Sequence, residues 1–271
     1  MRNVVALVAW LLAANLQAGV VFELESKNNA TNPPQLLNTR VMVEGRLLKM
    51  QTAANGQGEP TEVIFRGDRR EMIMVDHRTR TFIVMDQQAL QAMRAQMSQA
   101  TWQMNQALQN MTPQQRALAG PMIPVAKTGP PATQLAPLTV RQLNNRTTVY
   151  GYPSTLVEVQ RDGRKIGNLW ITAWQNIDGS QEVAPALADM ASFFLAFTRA
   201  TSQSGGMNKT MTDNPFIALD KLNGFPVASR NYREDGTVES ESALRTAQKV
   251  QFNATEFQPP AGYQQNRLFG R

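Results

Sequence analysis

The chain has 271 residues, of which 42% are hydrophobic and 18% charged, with one histidine and no cysteine. Such a composition is typical of a folded globular protein with a core of ordinary size. The lack of cysteine excludes disulfide bonds and a lipid attached through a thioether. The net charge is +6, but the basic residues are scattered among acids, so the sequence predicts no nucleic-acid partner.

The first eighteen residues have the order of a secretory signal peptide: a positive start, an apolar run over residues 4–14, and a small residue at Ala18. The apolar run is shorter than the roughly 20 residues that span a bilayer. We therefore predict a signal peptide over residues 1–18, with cleavage between Ala18 and Gly19. The mature chain, residues 19–271, is expected to be one periplasmic or secreted domain with no transmembrane segment.

The stretch from Gly19 to Asp86 indicates strands joined by turns. The segment GVVFELES alternates apolar and acidic residues, which is typical of a strand with one buried face. The strands EMIMV and TFIVM are instead apolar at consecutive positions, so both of their faces should be covered. Gly and polar residues predict turns at three places: Glu44-Gly45, Gly67-Asp68 and His77–Thr79.

Two helices are predicted. Residues 86–111 lack Gly and Pro, are rich in Gln, Ala and Met, and begin with Asp86 as a plausible N-cap. The second helix starts near Ser180 and carries Pro185, which suits a first turn. Between the helices, residues 112–137 contain six prolines and predict a flexible excursion rather than a packed element.

Strands return in the second half of the chain. Asp162-Gly163 separates two β-rich runs and predicts a hairpin with a type I′ turn. A second Asp-Gly pair at Asp235-Gly236 predicts another turn among the last strands. Strand groups flank each helix, so the pattern favours one sheet-dominated α+β domain with two main helices packed on an antiparallel sheet.

Several segments resemble an uncharacterised domain-of-unknown-function family of secreted bacterial proteins. They are VIFRGDRREMIMVDHRTRTFIVMD before the first helix, STLVEVQRDGRKIGNLWITAW, LNGFPVASRNYREDGTVESES and the closing FQPPAGY. The resemblance implies an architecture similar to the periplasmic lipoprotein carriers and receptors (LolA/LolB-like). In that architecture a curved antiparallel sheet, an open half-barrel, wraps around helices and can enclose an acyl chain. Such a likeness of fold does not by itself establish function.

No candidate for catalysis stands out. His77, in a turn, is expected to be exposed, and a triad or metal site would need partners that the chain lacks. The pairs Glu23/Glu25 and Glu239/Glu241 each share one strand face. They could serve glycoside cleavage, but a solvated strand face is the favoured interpretation. We therefore predict no enzyme, no cofactor and no metal.

The methionines of the first helix form a stripe. At about 100° per residue, an arc of roughly 100° contains the four methionines together with two leucines and two alanines, and Trp102 lies opposite: Met93, Met97, Met104, Met111, Leu90, Leu108, Ala100 and Ala107. The methionine sulfurs spread over about 27 Å of helix, so one metal ion could engage at most Met93 and Met97. Methionine fills irregular or changing spaces, which suits a helix that covers a cavity.

These observations lead to three hypotheses of function. The first is binding of a hydrophobic ligand or a lipid-modified partner in a half-barrel cavity. The second is a structural or protein-interaction role in the cell envelope, with a filled core. The third is copper binding through methionine thioethers. For the first hypothesis the predicted ligand-binding residues are Met72, Met74, Phe82, Val84, Met93, Met97, Met104 and Met111.

Overall fold

A computed structural model of the protein describes residues 19–54, 57–112, 138–201, 222–253 and 255–266. The predicted signal peptide and nearly all of the proline-rich excursion lie outside these ranges. The strands are β1 (Gly19–Asn28), β2 (Gln35–Glu44), β3 (Leu47–Ala54), β4 (Gln57–Arg66), β5 (Glu71–Asp76), β6 (Thr81–Met85), β7 (Thr139–Val149), β8 (Tyr152–Arg161), β9 (Arg164–Thr172), β10 (Phe225–Tyr232), β11 (Val238–Val250) and β12 (Gln264–Asn266). The helices are α1 (Gln87–Gln109) and α2 (Ser180–Thr201), and a 3₁₀ turn covers Trp174–Asn176.

The twelve described strands form one curved sheet in the order β12-β6-β5-β4-β3-β2-β1-β11-β10-β9-β8-β7. Two antiparallel meanders, β1–β6 and β7–β11, meet where β1 pairs with β11. Among these twelve, only β12 runs parallel to its neighbour, β6. The two ends of the order, β12 and β7, do not pair with each other, so the sheet is unclosed. The predicted curved antiparallel sheet is confirmed, whereas the α+β class fits loosely because the sheet dominates.

Local turn chemistry explains the hairpins. Asp162 and Gly163 have φ of 51° and 72°, and a type I′ turn requires positive φ at both central residues. The turns predicted at Glu44-Gly45, Gly67-Asp68 and His77–Thr79 also separate the expected strands. These hairpin predictions are confirmed.

Both helices form where the sequence predicts them. The Asp86 carboxylate accepts a hydrogen bond from the Ala89 backbone N–H at 2.8 Å, which caps the start of α1. Asn110 is the C-cap of α1. The helix α2 begins at Ser180, which places Pro185 in its second turn rather than its first. Pro185 is the sixth residue of the helix, so it removes the hydrogen bond that an N–H at this position would donate to the Gln181 carbonyl.

Two apolar layers cover the first meander. On one face, Phe65 contacts Phe193 of α2 and Phe22 stacks on Phe225, with ring centroids 5.7 and 5.1 Å apart. On the other face Ile73 packs in a separate cluster with residues of the C-terminal segment. The consecutive apolar residues of β5 therefore face two different cores, which confirms the predicted coverage of both faces. A third cluster lies in the second meander: Leu138, Val157, Val159, Ile166, Leu169 and Ile171.

Candidate functional site

Six methionines belong to one apolar cluster on the helix side of the sheet. They come from β3, β5, β6, α1 and α2, and all belong to the cluster that contains Phe65 and Phe193. Met72 and Met85 are buried, while the other four are only half-buried. A half-buried thioether remains within reach of a ligand and can change rotamer at low cost. We name this surface the methionine face: Met50, Met72, Met74, Met85, Met93 and Met190.

The structure brings three of the predicted binding residues together and separates two others. Met72, Met74 and Met93 lie on the methionine face. Phe82 and Val84 lie on the opposite face of the sheet, in the cluster with Ile73. The β5–β6 register explains the split, because it pairs Ile73 with Val84 and Val75 with Phe82. Side chains that share a paired position point to the same side of a sheet.

The remaining predicted positions have different outcomes. Met111 is half-buried just beyond the C-cap of α1. The side chains of Met97 and Met104 lie outside the described part of the structure, although both residues are helical. Trp102, predicted opposite the methionine stripe, is 61% exposed. Of the predicted cleavage residues, Gly19 is the first residue of β1, and Ala18 lies outside the described ranges.

Sequence analysis did not single out three members of the methionine face. Met50 follows Leu48 at strand spacing on β3, and both side chains join the same cluster. Met85 ends β6, and Met190 lies on α2. The strand period of two was the available signal for Met50. For Met190 the sequence offered none, since a single methionine in an apolar helix is ordinary core composition.

On the opposite face, the C-terminal segment covers the first meander. Residues 255–266, which we name the C-terminal clasp, place Phe257 against the cluster around Ile73. The Phe257 carbonyl accepts a hydrogen bond from Arg66 Nε at 3.0 Å, and the Gln264 N–H donates to the Arg80 carbonyl at 3.0 Å. β12 then extends the sheet beside β6.

Under the clasp lies a buried polar cluster. The Glu62 side chain is only 2% exposed, and its Oε2 accepts a hydrogen bond from the Gln51 amide at 2.7 Å. Lys49 Nζ lies 3.5 Å from Glu62 Oε2 and 3.1 Å from Oε1 of Glu256. A carboxylate this far from water requires a cation and hydrogen-bond donors. The clasp supplies the second carboxylate, so the cluster ties it to β3 and β4.

His77 belongs to the same cluster, which corrects the prediction of an exposed turn residue. Its side chain is 16% exposed, its Nδ1 is 2.9 Å from the Tyr263 hydroxyl, and its Nε2 is 3.5 Å from Glu62 Oε2. The turn itself is on the surface as expected. The C-terminal clasp covers this turn and buries the His77 ring, which packs edge-on against the ring of Tyr263.

A cleft of about 390 Å³ opens elsewhere, between the ends of β1, β2 and β7 and the middle of β9, β10 and β11. Arg230 donates to Glu241 at 2.6 Å and lies over the Trp170 ring at 5.7 Å. Arg245 donates to Glu25 at 2.5 Å and lies over the Tyr150 ring at 4.6 Å. We name it the aromatic–arginine cleft; its lining includes Glu25, Lys27, Leu36, Thr147, Val149, Tyr150, Trp170, Arg230 and Glu241.

Three of the four acidic residues singled out in the sequence are in ion pairs: Glu23, Glu25 and Glu241. Glu23 lies 3.5 Å from Arg40, and both side chains are about half exposed. The hydrogen bond from Arg245 to Glu25 raises the pKa of Arg245 above its ordinary value, which keeps that pair charged. Within the described ranges no group of three or more His, Asp or Glu residues could hold a metal ion. Nor is any described helix long and apolar enough to cross a membrane.

Comparison with known proteins gives distant structural likeness only. No protein-family model and no curated sequence matches the chain. An uncharacterized conserved protein from Thermus thermophilus is similar, with 9% identity over 93% of this chain and 92% of that one and a TM-score of 0.46. A chain of the Pseudomonas aeruginosa MucA/MucB complex gives 10% identity and a TM-score of 0.37 over 90% of this chain and 56% of that chain. This chain therefore spans little more than half of it.

A third similar structure is a putative outer membrane lipoprotein-sorting protein domain from Vibrio parahaemolyticus. It gives 7% identity and a TM-score of 0.25, over 89% of each chain. Membership of a family is not shown and stays a prediction.

Proposed function

We propose that the mature chain is a non-enzymatic periplasmic or secreted protein that binds a hydrophobic ligand or the lipid group of a modified partner. The observation that supports this proposal is the methionine face. Six thioether side chains from five elements share one apolar cluster there, and four of them are only half-buried. Methionine surfaces adapt to ligands of different shape because the side chain is unbranched and flexible.

The proposal assigns no catalytic step to the protein. The single histidine is held between Tyr263 and Glu62 on the opposite face of the sheet. The buried carboxylate next to it is held by Lys49 and Gln51. Both arrangements attach the C-terminal clasp, which gives them a structural purpose. Ligand recognition on the methionine face rests on apolar contact alone.

A second candidate is the interaction protein with a filled core. The aromatic contacts Phe65–Phe193 and Phe22–Phe225 favour it, because these rings occupy the space between the sheet and α2. Under this alternative the methionine face is simply the edge of the hydrophobic core, and partners bind to the outer surface of the protein. The two candidates differ in whether an apolar probe enters between the sheet and the helices.

Methyl NMR with a spin-labelled fatty acid distinguishes them. Each methionine εCH₃ gives one signal, assigned by Met→Leu substitution. We expect 16-doxyl stearate to broaden the signals of Met50, Met74, Met93 and Met190. The internal control is Met42, which is buried on the opposite face. A palmitoylated peptide should displace the probe if the physiological ligand is a lipid-modified partner.

One matched pair of variants completes the test. Met74→Glu places a charge on the methionine face and should abolish the broadening. Leu36→Glu changes an exposed leucine elsewhere and should leave it intact. Failure of the probe to bind, or equal broadening of Met42, contradicts the proposal and supports the filled core. Stoichiometric Cu(I) binding under reducing conditions, without lipid binding, would support the copper hypothesis instead.

A further inference from the structure

The aromatic–arginine cleft is a second concave surface, which none of the six methionines lines, although its Val149 and Trp170 pack against the same apolar cluster. Its volume of about 390 Å³ falls in the range of roughly 300–1,000 Å³ typical of ligand pockets. Its lining differs in kind from the methionine face, since it combines two aromatic rings with one arginine, one lysine and two glutamates. A surface of this composition recognises polar as well as apolar groups.

Two arginines at the cleft are held in place before a ligand binds: Arg230 lines it, and Arg245 contacts its lining residues Glu25 and Tyr150. Each guanidinium is held between a carboxylate and an aromatic ring: Arg230 by Glu241 and Trp170, Arg245 by Glu25 and Tyr150. Side chains ordered before binding lose little entropy when a partner arrives. Trp, Tyr and Arg are also the residue types that dominate the energetic centres of protein interfaces. The cleft therefore has the composition of a protein-binding site.

Exposed apolar side chains mark the rim. Among the described residues three large hydrophobic side chains are exposed, and two of them, Leu36 at 42% and Tyr150 at 53%, line this cleft. Exposed apolar groups gathered at a concavity, rather than scattered, indicate an interaction surface. The third, Trp102, lies on α1 away from the cleft.

Tyr150 occupies a backbone position that disfavours it. Tyr150 and Gly151 have φ of 51° and 87° at the turn between β7 and β8. Asn, Asp and Gly are the residues preferred at such a turn, and a bulky residue with positive φ is uncommon. Keeping a tyrosine there costs backbone energy, as it does for Arg70 and Arg80 in other turns, and at this turn the ring holds Arg245 beside the cleft.

The charged side chains at the cleft indicate which charge a ligand should carry. Glu25 and Glu241 are each paired with an arginine. Lys27 lines the cleft and lies opposite Glu241 in the β1–β11 register, but the Glu241 carboxylate bonds Arg230. One positive charge is therefore left over. An occupant that supplies a carboxylate beside an apolar side chain would match both Lys27 and the rim.

The neighbouring backbone favours an extended occupant. Thr147 and Val149 of β7 line the cleft, and β7 is the last strand of the described sheet. An extended peptide can add main-chain hydrogen bonds to such an edge while its side chains enter adjacent pockets. We propose that the aromatic–arginine cleft docks an extended segment of a protein partner that carries a carboxylate next to a large apolar side chain.

A displayed library of random dodecapeptides, selected on the full mature chain, tests this inference. The expected result is enrichment of peptides with Asp or Glu beside Phe, Leu or Trp. Lys27→Glu should weaken a selected peptide about tenfold or more, since it reverses the charge of Lys27. Binding should also weaken as salt is raised.

Tyr150→Asn separates binding from folding. The substitution suits the turn, so the variant should melt at or above the wild-type temperature, yet it should lose about tenfold or more in peptide affinity. Trp102→Ala, the matched exposed aromatic, should bind normally. No enriched peptide, enrichment without acidic residues, or affinity unchanged by Lys27→Glu and Tyr150→Asn would overturn the inference. Preferential binding of fatty acid or anionic vesicles at the cleft would overturn it as well.

Discussion

Glu62 offers a direct test of how the C-terminal clasp is held. Its side chain is 2% exposed, and Lys49, 11% exposed, is the cation at 3.5 Å. Lys49→Met removes the ammonium group and keeps an apolar side chain of similar reach. The buried Glu62 carboxylate then keeps its hydrogen bond from the Gln51 amide at 2.7 Å but no longer has a lysine ammonium group beside it. Glu256 loses its partner too, although that side chain is 35% exposed.

The expected loss is about 3 kcal/mol of unfolding free energy. Removing one partner of a buried ion pair costs about 3–5 kcal/mol, because a charge is left without compensation. The Gln51 hydrogen bond remains, which places the value near the lower limit. The control is Arg40→Met. Arg40 and Glu23 are also 3.5 Å apart, but their side chains are 52% and 46% exposed, so the expected loss is about 0.2–1 kcal/mol.

Urea unfolding of the mature chain measures both losses, as shifts of the midpoint at constant m. In Lys49→Met/Glu62→Gln the buried group is neutral and needs no counter-ion, so this double variant should be more stable than Lys49→Met alone. A Lys49→Met loss no larger than that of Arg40→Met would refute the reasoning. So would strictly additive losses in the double variant, since residues in contact should be coupled.

Three further predictions concern local structure. Asp86→Ala removes the N-cap of α1 and should cost about 1 kcal/mol in urea unfolding. Gly163 and Gly179 have similar φ angles, 72° and 74°, but a Cβ at Gly163 would meet open space, whereas a Cβ at Gly179 would collide with a Val20 methyl group. In the same assay Gly163→Ala should therefore cost about 1 kcal/mol of unfolding free energy. Gly179→Ala should cost about 1–3 kcal/mol more than Gly163→Ala. Hydrogen bonds from Thr79 lower the pKa of Asp76 below its ordinary value of 3.8. The ionised Asp76 carboxylate therefore stabilises the folded protein fully above pH 3.8, and this stabilisation is lost as pH falls through the folded-state pKa. A ¹³C NMR titration of the Asp76 carboxyl group should show the lowered pKa.

The hairpins and helices were predictable because their determinants are local. Asp162-Gly163 specifies a turn through its own φ angles, and Asp86 caps a helix through a hydrogen bond three residues away. The position of His77 depends instead on Tyr263, 186 residues further along the chain. No periodicity in the sequence reports such a contact. The clasp and β12 were missed for the same reason.

The candidate site could be predicted only in part, and register explains the limit. In an alternating strand the pattern itself shows which residues share a face. β5 and β6 are apolar at consecutive positions, so the pattern does not separate Met72 and Met74 from Phe82 and Val84. The observed pairing of β5 with β6 does separate these two pairs of residues. Met190 could not be assigned either, because α2 reaches the methionine face only through the tertiary fold.

The two faces of the first meander are built for opposite purposes. The methionine face consists of flexible side chains, several of them half-buried, which can repack when a ligand enters. The other face is held by an ion pair and hydrogen bonds that fix β3 and β4 to the clasp. Adaptation on one side requires a backbone that does not yield, and the clasp provides it. Stability and binding should therefore respond to different substitutions. Lys49→Met should lower the free energy of unfolding without changing the affinity of the folded protein for the spin-labelled fatty acid. Met74→Glu should abolish binding of the fatty acid without lowering the free energy of unfolding.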